Sequence, residues 1–131
     1  MKYRSGYKYQ LAKTEIVDVG IDGFKVNHNF FNLDPSGVLI IKEGYAWDGA
    51  SGAIDTKSIM RGALVHDCLY QMIRERLLPV EFRSWADKVL KDICLQDGMS
   101  SIRAEWVYQA VRRFGSPAAK PENTKPILEA P

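Results

Sequence analysis

The sequence predicts an α+β fold, an antiparallel β-meander followed by a glycine-rich loop and three helices. Three observations carry this. Up to Ile41 the chain alternates apolar and polar residues with period two, broken by short turn signals. Between Gly44 and Ala53 it carries three glycines and loses all periodicity. From Thr56 onward apolar residues recur three and four apart, the period of a helix with a buried face.

The meander has about four strands. Tyr7-Lys8-Tyr9-Gln10-Leu11 alternates, and Ile16, Val17, Val19 and Ile21 form a second run that ends at Gly20-Ile21-Asp22-Gly23. Phe24 to Phe30 alternates again. Asp34-Pro35-Ser36-Gly37 is a turn, with proline presetting φ and glycine closing it. Val38-Leu39-Ile40-Ile41 follows as the fourth strand. The connections are too short for crossover helices, so neighbouring strands run antiparallel. The loop around Trp47-Asp48-Gly49-Ala50-Ser51-Gly52 is tight and turned.

The first helix starts near Thr56 or Ser58 and is apolar nearly all round, through Ile59, Ala63, His66, Tyr70 and Ile73, to Arg74-Glu75-Arg76. Pro79 opens a second, about Val80 to Gln96, which Asp97-Gly98 stops. The short link Leu77-Leu78-Pro79 makes the two antiparallel. Ser100 caps a third, with Ile102, Trp106, Tyr108, Ala110, Val111 and Phe114 expected inward, Arg112-Arg113 at the negative end of its dipole, and Gly115 closing it.

One domain from 1 to 115 accounts for all of this. Ser116 to Pro131 holds four of the six prolines and reads as an extended tail suited to a partner surface. The net charge of +2, with no basic cluster beyond Arg112-Arg113, argues against a nucleic-acid binder. No apolar stretch follows the first residues as in a secretory signal, which predicts a protein made in a cytoplasm. Cys68 and Cys94, both in apolar helical settings, read as small buried hydrophobes rather than a disulfide pair.

The stretch Leu64-Val65-His66-Asp67-Cys68-Leu69-Tyr70 sets an imidazole, a carboxylate and a phenol on that buried helix. Buried polar groups must be paired. Singly, His66 reads as a core histidine bonded to a carbonyl, and Asp67 as a carboxylate bridged to an arginine. Asp87 changes the reading, because on the second helix it borders the apolar stripe in line with Leu90 and Cys94. From there it would accept a hydrogen bond from one nitrogen of His66 and leave the other as a base. Asp67, about 100° round the helix, would meet the glycine-rich loop, where turned-in carbonyls and a carboxylate suit calcium.

This arrangement resembles the secreted phospholipase A2 superfamily over roughly Tyr45 to Cys94. The resemblance implies a calcium-dependent ester hydrolase in which His66 activates water, Asp87 orients His66 and Tyr70 bonds to the Asp87 carboxylate. It implies calcium held by the backbone carbonyls of Trp47, Gly49 and Ser51 and both oxygens of Asp67. Asp48, an extra carboxylate, would be a second ligand or a helix cap, and Tyr108 is a candidate to bond Asp87 from the third helix. The chain departs from that superfamily in lacking its disulfides and in having Ala50 and Ser51 where glycine is favoured.

The chain also resembles a small phage and prophage domain family of unknown function. The residues concerned are Trp47 to Gly52, Leu64 to Tyr70, Arg83 to Asp87, Arg103-Ala104, Tyr108 and Phe114-Gly115. That resemblance implies a phage-encoded protein. Two functions follow from the two resemblances. One is a lipid hydrolase acting at the host membrane, which needs an exposed apolar mouth for which Tyr45, Trp47 and Met60 are candidates. The other is a non-catalytic virion component of tail or baseplate, with other structural proteins or further copies as partners and Trp85 and Trp106 at the interface.

Overall fold

The structure, a computed structural model, describes residues 3–4, 9–47 and 57–120. It is α+β, with antiparallel strands first and helices after. The residues group into two compact units, one within Met1–Gly49 and the other within Ala50–Lys125.

The strand unit holds β1 (Tyr3–Arg4), β2 (Tyr9–Leu11), β3 (Glu15–Asp18), β4 (Val26–Asn27), β5 (Phe31–Leu33), β6 (Val38–Ile41) and β7 (Ala46–Trp47). They form two antiparallel sheets, ordered β1-β2-β7 and β3-β6-β5-β4. Only β4, β5 and β6 are a meander; β3 pairs with β6, from Glu15 opposite Ile41 to Asp18 opposite Val38. The run from Phe24 to Phe30 is not one strand. The His28 imidazole accepts the Phe30 amide at 3.1 Å and the His28 amide bonds to the Phe31 carbonyl at 2.9 Å. That side-chain-to-backbone turn, invisible to hydrophobic alternation, ends β4 and starts β5.

Register decides what this unit buries. Phe31 stands opposite Ile41, and Leu33 and Val17 both stand opposite Leu39. All five side chains are buried. Burying each contributes about 1.5–3 kcal/mol, and a slip of one residue would turn them all to the other face. Asp34 fixes that register at the turn. Its Oδ1 accepts from the Ser36 amide (2.9 Å), the Ser36 hydroxyl (2.6 Å) and the Val38 amide (3.1 Å), and Gly37 takes φ +96°.

The helix unit holds α1 (Lys57–Arg74), a 3-10 turn (Val80–Phe82), α2 (Arg83–Gln96), α3 (Ser101–Phe114) and α4 (Ser116–Ala119). Twelve of the 18 residues of α1 are buried, which matches its nearly continuous apolar surface. Pairings between α1 and α2 run in opposite directions along the two helices. Arg61 grips Asp97 through two 3.0 Å bonds, Gly62 faces Cys94 and Leu90, and His66 meets Asp87. The helices are therefore antiparallel. A Cβ on Gly62 would lie 3.0 Å from Leu90 Cδ1 and 3.1 Å from Cys94 Sγ, so this glycine permits the close approach. Cys68 and Cys94 are buried free thiols, and burial pushes that of Cys94 up to about 11. Gly98, at φ +97°, ends α2. The Ser100 hydroxyl caps α3 by accepting the Arg103 amide at 3.3 Å.

Two expectations for the helices need correction. Ile102, Trp106 and Phe114 do not pack inward; they are 84%, 61% and 73% exposed. The inward stripe of α3 is Ala104, Val107 and Val111, which joins Ile59, Leu90, Cys94 and Met99 in one apolar cluster. The chain after Gly115 does not extend at once, because Ser116–Ala119 is a helical turn with Ala119 buried. Proline is compatible with a first helical turn, where its missing N–H has no partner to lose. The rest of the proline-rich tail, from residue 121, lies outside the described residues.

Candidate active site

Asp87 is where the chemistry of the helix unit converges. Its side chain is 0% exposed. A carboxylate out of water must be matched by donors, and it has three. His66 Nε2 lies 2.6 Å from Oδ1, the Tyr70 hydroxyl donates to the same oxygen at 2.6 Å, and Arg112 Nη1 donates to Oδ2 at 2.7 Å.

Each donor arrives for a local reason. His66 and Tyr70 sit four residues apart on α1, one turn above each other on the face that meets α2. Their rings are 4.1 Å apart, centroid to centroid. Asp87 lies on the buried side of α2 with Ala86 and Leu90. Arg112 comes from the last turn of α3, about a third exposed, with its guanidinium on the carboxylate.

Burial would raise the Asp87 carboxyl, but the hydrogen bonds from His66, Tyr70 and Arg112 outweigh it and hold the group below its ordinary value. Asp87 is therefore an anion, and an anionic carboxylate only accepts. This assigns the hydrogen to Nε2 of His66. Among the described residues Nδ1 has no hydrogen-bond partner, so in the neutral ring its lone pair is unclaimed. Burial, then the bond to Asp87, push the Tyr70 phenol well above its usual range, so it remains a donor at any ordinary pH.

A second arginine extends the network. Arg83, at the start of α2, donates from Nε to the Tyr70 oxygen at 3.1 Å. Its Nη2 donates to the carbonyls of Val111 (2.9 Å) and Arg112 (2.8 Å), in the last turn of α3. The Val111 carbonyl also accepts the Gly115 amide at 2.9 Å, so Arg83 adds a second donor there at the end of α3. Gly115 makes room for this junction. A Cβ there would fall 2.6 Å from the Val111 oxygen and 2.9 Å from the Tyr70 oxygen.

The structure thus brings together His66, Asp87 and Tyr70. Asp67 stands one residue along α1, half-buried and outside the partners of Asp87. Trp47 is in the strand unit, buried, with its ring 5.5 Å from that of Tyr9. Asp48, Gly49 and Ser51 lie outside the described residues. Among the described residues no three His, Cys, Asp or Glu side chains converge as a metal site.

Tyr108 does not reach Asp87; its ring lies under Lys91 Nζ, 5.7 Å away, and Arg112 takes the place assigned to it. Tyr45, Trp47 and Met60 are buried and supply no apolar mouth. Arg112 at the end of a helix had its dipole as a sufficient explanation, which concealed its second role. Arg83 offered a signal, standing four residues before Asp87 on the same helix face. Comparison of the chain with protein-family models, with curated proteins and with solved structures gives no match.

Proposed function

We propose that the protein is a phage-encoded ester hydrolase of phospholipase A2-like chemistry, with His66 as general base and Asp87 as its orienting partner. The observation that supports this most is the division of labour on the imidazole. Nε2 is committed to a buried carboxylate while Nδ1 has no partner among the described residues. This leaves Nδ1 as the nitrogen able to take a proton.

In this reading Nδ1 takes a proton from a water molecule as the water oxygen attacks the ester carbonyl. Asp87 stabilises the imidazolium that forms. When the tetrahedral intermediate collapses, the carbon–oxygen bond to the alcohol breaks and the imidazolium returns its proton to the leaving oxygen. One water and one ester become one acid and one alcohol, and His66 is regenerated. Tyr70 and Arg112 hold the carboxylate in place and touch no reacting atom. Calcium, if bound, would supply charge for the oxyanion; its proposed holders are Asp67 and the loop of Trp47, Asp48, Gly49 and Ser51.

The test is hydrolysis of phosphatidylcholine vesicles and of a soluble short-chain ester, with and without added calcium. Native protein is expected to cleave at least one of them, and His66→Gln is expected to lose about 100-fold or more in kcat. Equal rates for the two proteins would remove the base. Loss of activity on chelation would favour the cation.

A second reading is a non-catalytic virion component in which the same network ties three helices together. It is favoured by the exposed Ile102, Trp106 and Phe114 on α3 and Trp85 on α2, a quantity of large apolar surface suited to a protein interface. Co-purification with virion parts, with no esterase activity, would decide for it.

A further inference from the structure

We propose that Arg83 is a positioning residue of the dyad, which steers the single phenolic proton of Tyr70 onto Asp87. A phenol has one proton to give and lone pairs to receive. The Tyr70 hydroxyl donates to Asp87 Oδ1 at 2.6 Å. The phenol oxygen also borders the small gap that the absent side chain of Gly115 leaves. If the proton turned away from Asp87, the carboxylate would lose one of the two donors on Oδ1.

Arg83 fixes this choice. Its Nε–H occupies a phenol lone pair, and because arginine never accepts, the phenol proton must point elsewhere. Its Nη2 donates to the carbonyls of Val111 and Arg112, which anchors the guanidinium at the phenol. A single guanidinium thus donates where the proton should not go and leaves Asp87 as the open acceptor. The planar fork is what allows this, since one ammonium reaches the phenol or the carbonyls but not both.

The consequence for turnover rests on His66 acting as the base; the consequence for the phenol proton does not. The test therefore has two arms on the full chain. In proton NMR, native protein is expected to show the Tyr70 hydroxyl as a slowly exchanging, downfield resonance, assigned by its loss in Tyr70→Phe. Arg83→Met is expected to move this resonance upfield or broaden it into exchange with water, and Arg83→Lys to restore part of the shift. An unchanged resonance in Arg83→Met overturns the proposal; should that variant not fold, an unchanged resonance in Arg83→Lys does so.

In hydrolysis of the same vesicles, Arg83→Met is expected to lower kcat about tenfold with KM unchanged. Added to Tyr70→Phe it is expected to cost less than about twofold more, because both changes remove one interaction. Losses that multiply would mean that Arg83 works independently of the phenol, and would overturn the proposal. If native protein cleaves no ester, the general-base reading fails, and the hydroxyl resonance alone decides the role of Arg83.

Discussion

Asp87→Asn keeps the shape of the side chain and removes its charge. In the native protein both oxygens receive: Oδ1 from His66 and Tyr70, Oδ2 from Arg112. Asparagine has one accepting oxygen and a nitrogen that only donates. On the Oδ2 side that nitrogen faces Arg112, which only donates; on the Oδ1 side it faces His66 and Tyr70, which would have to change tautomer and hydroxyl direction to receive it, and in either case Arg112 loses its anion. Breaking a buried ion pair on one side costs about 3–5 kcal/mol. Arg112 is 32% exposed and regains some hydration, which places the expected cost near the lower end, about 3 kcal/mol. For a chain of this size, about 3–5 °C of Tm per kcal/mol gives a loss of about 10–15 °C at pH 7.

The pH dependence of that difference follows from the sign of the Asp87 shift. Its carboxyl lies below the unfolded value of 3.8 in the folded protein, so folding favours the ionised form. The stabilisation is fully present above pH 3.8 and is lost as the pH falls through the folded value. Thermal unfolding followed by far-ultraviolet circular dichroism should therefore show a wide gap between native and Asp87→Asn at pH 7, narrowing below pH 3.8. A gap under about 3 °C at pH 7, or one that widens on acidification, would refute the description of Asp87 as a matched buried anion.

Gly62→Val would drive a branched side chain into Leu90 and Cys94, where even a Cβ meets contacts of 3.0–3.2 Å, and one of those contacts is the Leu90 backbone oxygen. The expected loss is about 2 kcal/mol or more by urea denaturation, despite the gain in helix propensity over glycine. Ser100→Ala removes the side-chain cap of α3 and is expected to cost about 1 kcal/mol in the same measurement, with Ser100→Asn close to native.

The helices were the legible part of this sequence. Their boundaries follow from punctuation that acts locally: Pro79, Gly98 and Ser100 each do at the backbone what their chemistry predicts. The pairing of His66 with Asp87 was legible because two antiparallel helices and a short link leave little freedom in register. The strands were harder. β1 and β7 are strands of two residues, β7 pairs with β2 across a long separation, and the break at His28 depends on an imidazole bonding to its own turn. On α3, counting apolar residues misled, because small ones (Ala104 and Val107) face the core while large ones face outward. Arg83 and Arg112 were opaque for a different reason: each satisfies a helix end and a carboxylate network at once, and only the second role depends on tertiary register.

The donors on Asp87 are spread along the chain: His66 stands 21 residues before it and Arg112 stands 25 residues after. During synthesis from the N-terminus, α1 and α2 emerge together, but the cation that matches Asp87 is made last. Until α3 leaves the ribosome and docks, Asp87 has donors on Oδ1 alone and its charge has no matching cation. The buried charge is thus matched only when α3 arrives, and a chain truncated before Arg112 would keep the His66 and Tyr70 donors on Oδ1 while leaving Oδ2 of Asp87 without its cation.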